Sequence, residues 1–207
     1  VTFFNPIPVR LCKTWYPNRV WELQSISGGQ PWLTFDDGPD PIATPAVLGI
    51  LEEFGVKAHF FCNGKQIERY PNLFRAIIDA GHGVGNHGWD HLDGWKTSTR
   101  AYLENAIQSE KFISSKWYRP PYGRLTSGQE RALRERGYHI AVWGIMAEDW
   151  KARESGLSCA RRVLKHLNSN SIVAWHTNEK SRDRVGSGLR FLLENTNLSF
   201  ELPKFTE

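Results

Sequence analysis

From about residue 31 onward, short apolar runs ending in polar clusters alternate with helix-period segments. That alternation limits the folds open to this chain. Strands are predicted over 32–36, 58–62, 83–87, 117–119, 139–145, 171–176 and 199–202. Helices are predicted over 44–54, 71–80, 98–114, 127–136, 157–167 and 187–194, the first with Thr44 as N-cap and Pro45 in its first turn. Seven strands separated by helices imply parallel pairing, and runs this apolar suit a sheet covered on both faces. Two α/β architectures fit: an open doubly wound sheet, or a barrel one unit short of eight. Both place ligands at the carboxyl ends of the strands. No linker-like stretch divides residues 31–207, so one domain is expected there. Residues 1–30, with Pro6, Pro8, Pro17 and Gly28-Gly29, read as an N-terminal extension packed on it.

Composition removes several function classes. Of 207 residues, 40% are hydrophobic and 23% charged, as in a globular domain with its own core. The net charge of +4 is not gathered into a basic stripe, so no nucleic-acid partner is predicted. No apolar run is long enough to span a bilayer. The chain opens on Val1 without a signal-peptide core. The expectation is therefore the cell envelope or exterior if an upstream segment has been removed, and otherwise the cytoplasm. Cys12, Cys62 and Cys159 are far apart and form no CxxC pair, which argues for reduced, packed thiols. A monomer is expected.

The polar residues fall at successive strand ends: Asp36 and Asp37 after the first, Asn63 and Gly64 after the second, Asn86, His87 and His91 after the third. Arg119 to Tyr122 follow the fourth, Asp149 and Trp150 the fifth, and His176 ends the sixth. Under either architecture they converge on one rim. His87 and His91, four apart, would share a face if the segment made one helical turn. With Asp37 they form a two-histidine, one-carboxylate set suited to a divalent metal with open positions. Such an ion lowers the pKa of its water and polarises a carbonyl. Asp36 is then placed to act as general base, with Arg119 holding it ionised. The rigid Pro120-Pro121 pair would fix the Tyr122 amide as an oxyanion donor. His176, closing an apolar strand, is placed to protonate a leaving group. His59, His82, His139 and His166 have no such company and read as structural.

These motifs resemble the polysaccharide deacetylases, carbohydrate esterase family 4. The resemblance covers about 32–202 and rests on Thr34-Phe35-Asp36-Asp37-Gly38-Pro39, Phe60-Phe61-Cys62-Asn63-Gly64, Gly85-Asn86-His87 with His91, Arg119-Pro120-Pro121-Tyr122-Gly123, Asp149-Trp150 and His176, in that order. It implies a distorted seven-stranded (β/α) barrel and metal-dependent removal of acetyl groups from N-acetylated amino sugars of a glycan. It also implies Zn²⁺, or Co²⁺ or Ni²⁺ in its place, on Asp37, His87 and His91, with Asp36 as base and His176 as acid. Trp150 and Trp175 would line the pocket for the acetyl methyl, and Pro121, Tyr122, Asn63 and Asp149 would complete the substrate-binding wall.

Three departures from the family pattern stand out. Gly88 occupies the place of a usual Ser or Thr. The segment before Asp149 supplies Glu148 rather than another Asp. Trp175-His176-Thr177 replaces a common Leu-His-Asp, which implies a narrower acyl pocket. None removes a proposed ligand, base or acid. The alternatives are an amidohydrolase of small non-sugar amides or imides, and a glycan-binding protein with weakened catalysis.

Overall fold

The structure, a computed structural model, describes residues 9–23 and 29–202. Its centre is a sheet of eight parallel strands: β1 (Arg19–Val20), β2 (Trp32–Asp36), β3 (His59–Cys62), β4 (Gly83–Asn86), β5 (Trp117–Tyr118), β6 (His139–Ala141), β7 (Ile145–Met146) and β8 (Ile172–His176). Their order across the sheet is β1-β6-β5-β4-β3-β2-β8-β7. Around it lie α1 (Val9–Trp15), α2 (Ala43–Glu53), α3 (Gly64–Arg69), α4 (Pro71–Asp79), α5 (Thr99–Gln108), α6 (Ser127–Glu135), α7 (Gly156–His166) and α8 (Arg182–Glu194).

The strand order itself requires a curled sheet. β6 and β7 sit near opposite edges, yet only Val142–Gly144 joins them. That link reaches about 14 Å at most. In a flat sheet, six strand spacings would part them by about 30 Å. The two edges therefore meet as a distorted barrel, and the link is pinned at the seam: Val142 N donates to Val20 O at 2.9 Å and Gly144 N to Ile172 O at 3.1 Å.

Strand parity sorts the core in two. Along β2, Trp32, Thr34 and Asp36 face the barrel interior while Leu33 and Phe35 face the helices. Inside, Trp32 packs edge-on against His59, Phe61 and Trp117 at 5.1, 5.9 and 5.3 Å. Outside, Leu33, Phe35, Phe60, Val173 and Trp175 pack with Val47 and Leu51 of α2, Val163 of α7 and Leu189 of α8.

Several expectations need correction. The run over 139–145 is two strands, because the chain crosses the seam between them. The N-terminal stretch supplies its own strand, β1, pairing with β6; residues 1–8 and 24–28 lie outside the described set. No strand forms over 199–202. Helix α3 has no expected counterpart. α2 is capped by Asp40 rather than Thr44: Asp40 Oδ1 accepts from the Ile42 and Ala43 amides at 3.0 and 2.8 Å, and Thr44 Oγ1 accepts from Asp40 N at 2.8 Å. α8 begins at Arg182 and runs through Gly186 and Gly188, residues that weaken a helix signal. Gly188 is there for space, since a Cβ would lie 2.8 Å from the Trp175 ring and 2.7 Å from Gly156 O.

Candidate active site

The carboxyl ends of β2, β4 and β8 open into a cleft of about 540 Å³ lined by Asp36, Asp37, His87, His91, Tyr122, Trp150 and His176, among others. Asp37 leaves β2 with φ 76°, so its carboxylate swings onto the same rim as Asp36. The His87–His91 segment is not helical; Gly88 (φ 76°) and His91 (φ 56°) reverse the chain and bring the rings to 5.1 Å. This corrects the helical-turn expectation while retaining the convergence. Among the described residues, the non-glycine positions with left-handed backbone are Asp37, His91, Tyr122 and Glu148, and all four line this cleft. Each conformation costs roughly 1 kcal/mol, a strain that concentrates at functional sites.

Asp37, His87 and His91 each present a ligand atom within 4.8 Å of the others. Asp37 Oδ1 lies 3.3 Å from His87 Nε2 and 3.0 Å from His91 Nε2. Nevertheless it is buried without a well-formed hydrogen bond. The reason is visible at His87, whose Nδ1–H donates to Arg119 O at 2.7 Å, leaving Nε2 a bare lone pair in the neutral ring. Two imidazole lone pairs and a carboxylate oxygen aimed at one point are the donor set of a divalent cation, and these residues can hold one. Burial opposes the charge on Asp37, but hydrogen bonds from His87 and His91 when their Nε2 atoms carry protons, with the His176 charge further off, outweigh it and hold the carboxyl well below its usual range. Asp37 Oδ2 accepts from Asn178 Nδ2 at 2.5 Å. Asn178 carried no sequence signal beyond standing two residues after His176.

Beside this set, Asp36 is 2% exposed, and its Oδ1 accepts from Arg119 Nη1 at 2.7 Å. Arg119 is wholly buried. It also donates to Thr34 Oγ1 at 2.6 Å and to Val142 O at 2.9 Å, with its guanidinium 4.1 Å from the Phe61 ring centroid. Across the cleft, His176 is clamped by Asp149, and its pKa is about 9. Burial pulls that value down, while the Asp149 charge and hydrogen bond, with Asp37 and Asp36 behind, more than reverse it. The Trp150 ring meets His176 edge-on at 4.9 Å.

Four residues expected in the binding wall lie elsewhere. Trp175 is fully buried on the opposite face of β8, against α7 and α8, because its neighbour His176 faces the cleft. It cannot narrow an acyl pocket. Asp149 is buried behind His176, Asn63 behind His87, whose carbonyl accepts its Nδ2–H at 2.9 Å, and Pro121 behind Tyr122. They brace the wall without forming it. Cys62 is buried on the helix-facing side, and burial pushes its thiol pKa up.

Comparison with known proteins agrees with this geometry. The family model for polysaccharide deacetylase matches residues 27–141. Peptidoglycan-N-acetylglucosamine deacetylase PgdA of Listeria monocytogenes serotype 1/2a (strain 10403S) is 34% identical over 155 residues, covering 72% of this chain and 32% of that protein. The chain thus spans about a third of that relative's length. A peptidoglycan-N-acetylglucosamine deacetylase of Bacillus cereus is 33% identical over 169 residues, 78% of each. The crystal structure of the Bc1960 peptidoglycan N-acetylglucosamine deacetylase matches with a TM-score of 0.84 at 26% identity, covering 92% of both chains. With over half its length matched by the family model, this chain belongs to the polysaccharide deacetylase family.

Proposed function

We propose that the chain removes N-acetyl groups from amino sugars of a polysaccharide or oligosaccharide such as peptidoglycan or a chitin-like chain. The observation that carries this is the buried Asp37 Oδ1 facing two imidazole nitrogens beside a second, separately held carboxylate. The catalytic unit is assigned to residues 31–207, with the described residues 9–23 of the N-terminal extension joined to it through β1.

A divalent ion on Asp37, His87 and His91, in our reading Zn²⁺ with Co²⁺ or Ni²⁺ as substitutes, would supply an acidified water and polarise the acetamide carbonyl. Asp36 takes the proton of the attacking water. Arg119 holds and aims Asp36, its guanidinium itself fixed by Thr34, Val142 O and the Phe61 face. The Tyr122 amide, turned by its left-handed backbone (φ 59°), donates to the developing oxyanion. His176, protonated at neutral pH, gives its Nε2 proton to the departing amine. Trp150 offers an apolar face to the acetyl methyl.

The test is acetate release from N-acetylglucosamine oligomers, lost in chelator and restored by Zn²⁺ or Co²⁺. Asp36→Asn should abolish turnover yet bind metal as before. Absence of acetate release by the metal-loaded wild type across chitin and peptidoglycan substrates would refute the reading.

A further inference from the structure

Trp95 is half exposed, at 50%, whereas most tryptophans of this chain are buried or half-buried. Its place is not a loose loop. It sits in a single 3₁₀ turn, Gly94–Lys96, capped by Asp93, whose Oδ1 accepts from Trp95 N at 3.0 Å. Gln129, 1% exposed, donates from Nε2 to both Gly94 O and Thr97 O at 2.8 Å. Gly94 is pressed so close to Arg124 O that a Cβ would stand 2.2 Å from it. Arg124 is paired with Asp93 at 2.5 Å. The turn is therefore bolted to the domain by a buried amide, an ion pair and a backbone contact, and what it presents is an indole.

That indole is continuous with the cleft. The Arg124 guanidinium lies 4.8 Å from the Trp95 ring centroid and 5.5 Å from that of Tyr122. Tyr122 meets the His91 ring edge-on at 4.5 Å. Tyr122 and Arg124 line the cleft and Trp95 stands just beyond them. The wall that starts at a metal-ligating candidate thus ends in an open aromatic surface.

We propose that Trp95 is a stacking platform for a further pyranose ring of the glycan, one beyond the residue whose acetamide reaches Asp37, His87 and His91. This rests on the deacetylase reading for its substrate class. A pyranose presents a face of C–H groups that covers an indole well. A ring held rigid before binding loses little entropy when the sugar arrives. Arg124, spanning the gap to Tyr122, offers donors to hydroxyl or carbonyl oxygens of the sugar between.

The experiment measures binding of N-acetylglucosamine dimer to pentamer by titration calorimetry, using the metal-loaded Asp36→Asn protein with and without Trp95→Ala. The platform predicts that Trp95→Ala weakens the pentamer by about tenfold, the size of one aromatic stacking contact, and the dimer far less. Trp95→Tyr should keep most of the pentamer affinity. Equal losses at every length, no loss at any, or no oligomer binding at all would overturn it. If Trp95→Ala does not fold by thermal melt, Trp95→Gln and the chemical shift of the Trp95 indole N–H on adding pentamer decide instead. A wild type that binds oligomers through Trp95 but releases no acetate would sink the deacetylase reading and leave the platform standing.

Discussion

Asp149 grips His176 twice: its Oδ1 accepts the ring Nδ1–H at 2.8 Å and its Oδ2 accepts the backbone N–H at 2.9 Å. The carboxylate thereby fixes both the rotamer and the charge of the ring, and Nε2 is left facing the cleft with a proton to give.

From this follows a basic limit to activity. With a pKa of about 9, His176 is protonated through neutral pH, so the rate should fall as pH rises through that value. A cation on Asp37 cancels part of the field that supports the charge, so the limb in the loaded enzyme should lie at or below pH 9. Asp149→Asn should pull the limb down by more than a unit and lower kcat by about 10²-fold or more. A kcat–pH profile of both proteins checks this. Stability shares the sign. The raised pKa contributes about 3 kcal/mol, fully present below pH 6.5 and lost as pH rises toward 9.

Asn178 should tune metal affinity without touching metal. It holds the Asp37 oxygen that does not face the histidines, and its own Oδ1 is locked by the amides of Lys180 and Ser181 at 2.9 and 3.1 Å. Asn178→Ala should weaken Zn²⁺ binding by about 10–100-fold, the usual cost of losing such a support. His91→Ala should abolish it. Competition with a chromophoric chelator measures both.

The barrel interior predicts acid sensitivity of a particular origin. Burial first, and the Arg119 charge second, push the His59 pKa down to about 3. The unfolded chain binds that proton near pH 6.5, so stability should drain away as pH falls below 6.5, by roughly 1.4 kcal/mol per pH unit for this group. His82, pushed to about 4, acts in the same direction. His59→Phe should flatten the pH dependence of urea unfolding between pH 6.5 and 4.5, whatever its effect on absolute stability.

Two glycines on the helices should respond oppositely to alanine. Gly188→Ala drives a methyl into the Trp175 ring and the Gly156 carbonyl and should cost about 1–3 kcal/mol. Gly49 lies within α2 with nothing within 4 Å of its added Cβ. Gly49→Ala should gain about 0.5–1 kcal/mol. Thermal melts of the two variants separate the signs.

What the sequence disclosed, and what it withheld, follows from range. Asp37, His87 and His91 were readable because turn chemistry at a strand end and a four-residue spacing are local marks. The route by which they meet was not, since a left-handed His91 is forced by surroundings rather than by its neighbours in sequence. Gly186 marks the expected start of the last helix at residue 187, whereas tertiary packing begins it at Arg182. Trp175 is instructive in the other direction. Period-two parity alone sets it opposite His176, and family likeness suggested the reverse. Asn178 reaches Asp37 across 141 residues, and no local pattern announces such a contact.

The seam link Val142–Gly144 has a further consequence. The carbonyl that accepts from Arg119 Nη2 belongs to Val142, the first residue of the link that joins the two sheet edges. Closure of the barrel and aim of the catalytic base are thus a single mechanical fact. Whatever pries the strands apart, whether heat, denaturant or a bulkier residue at Gly144, should silence proton transfer before it disturbs the histidines on the far side.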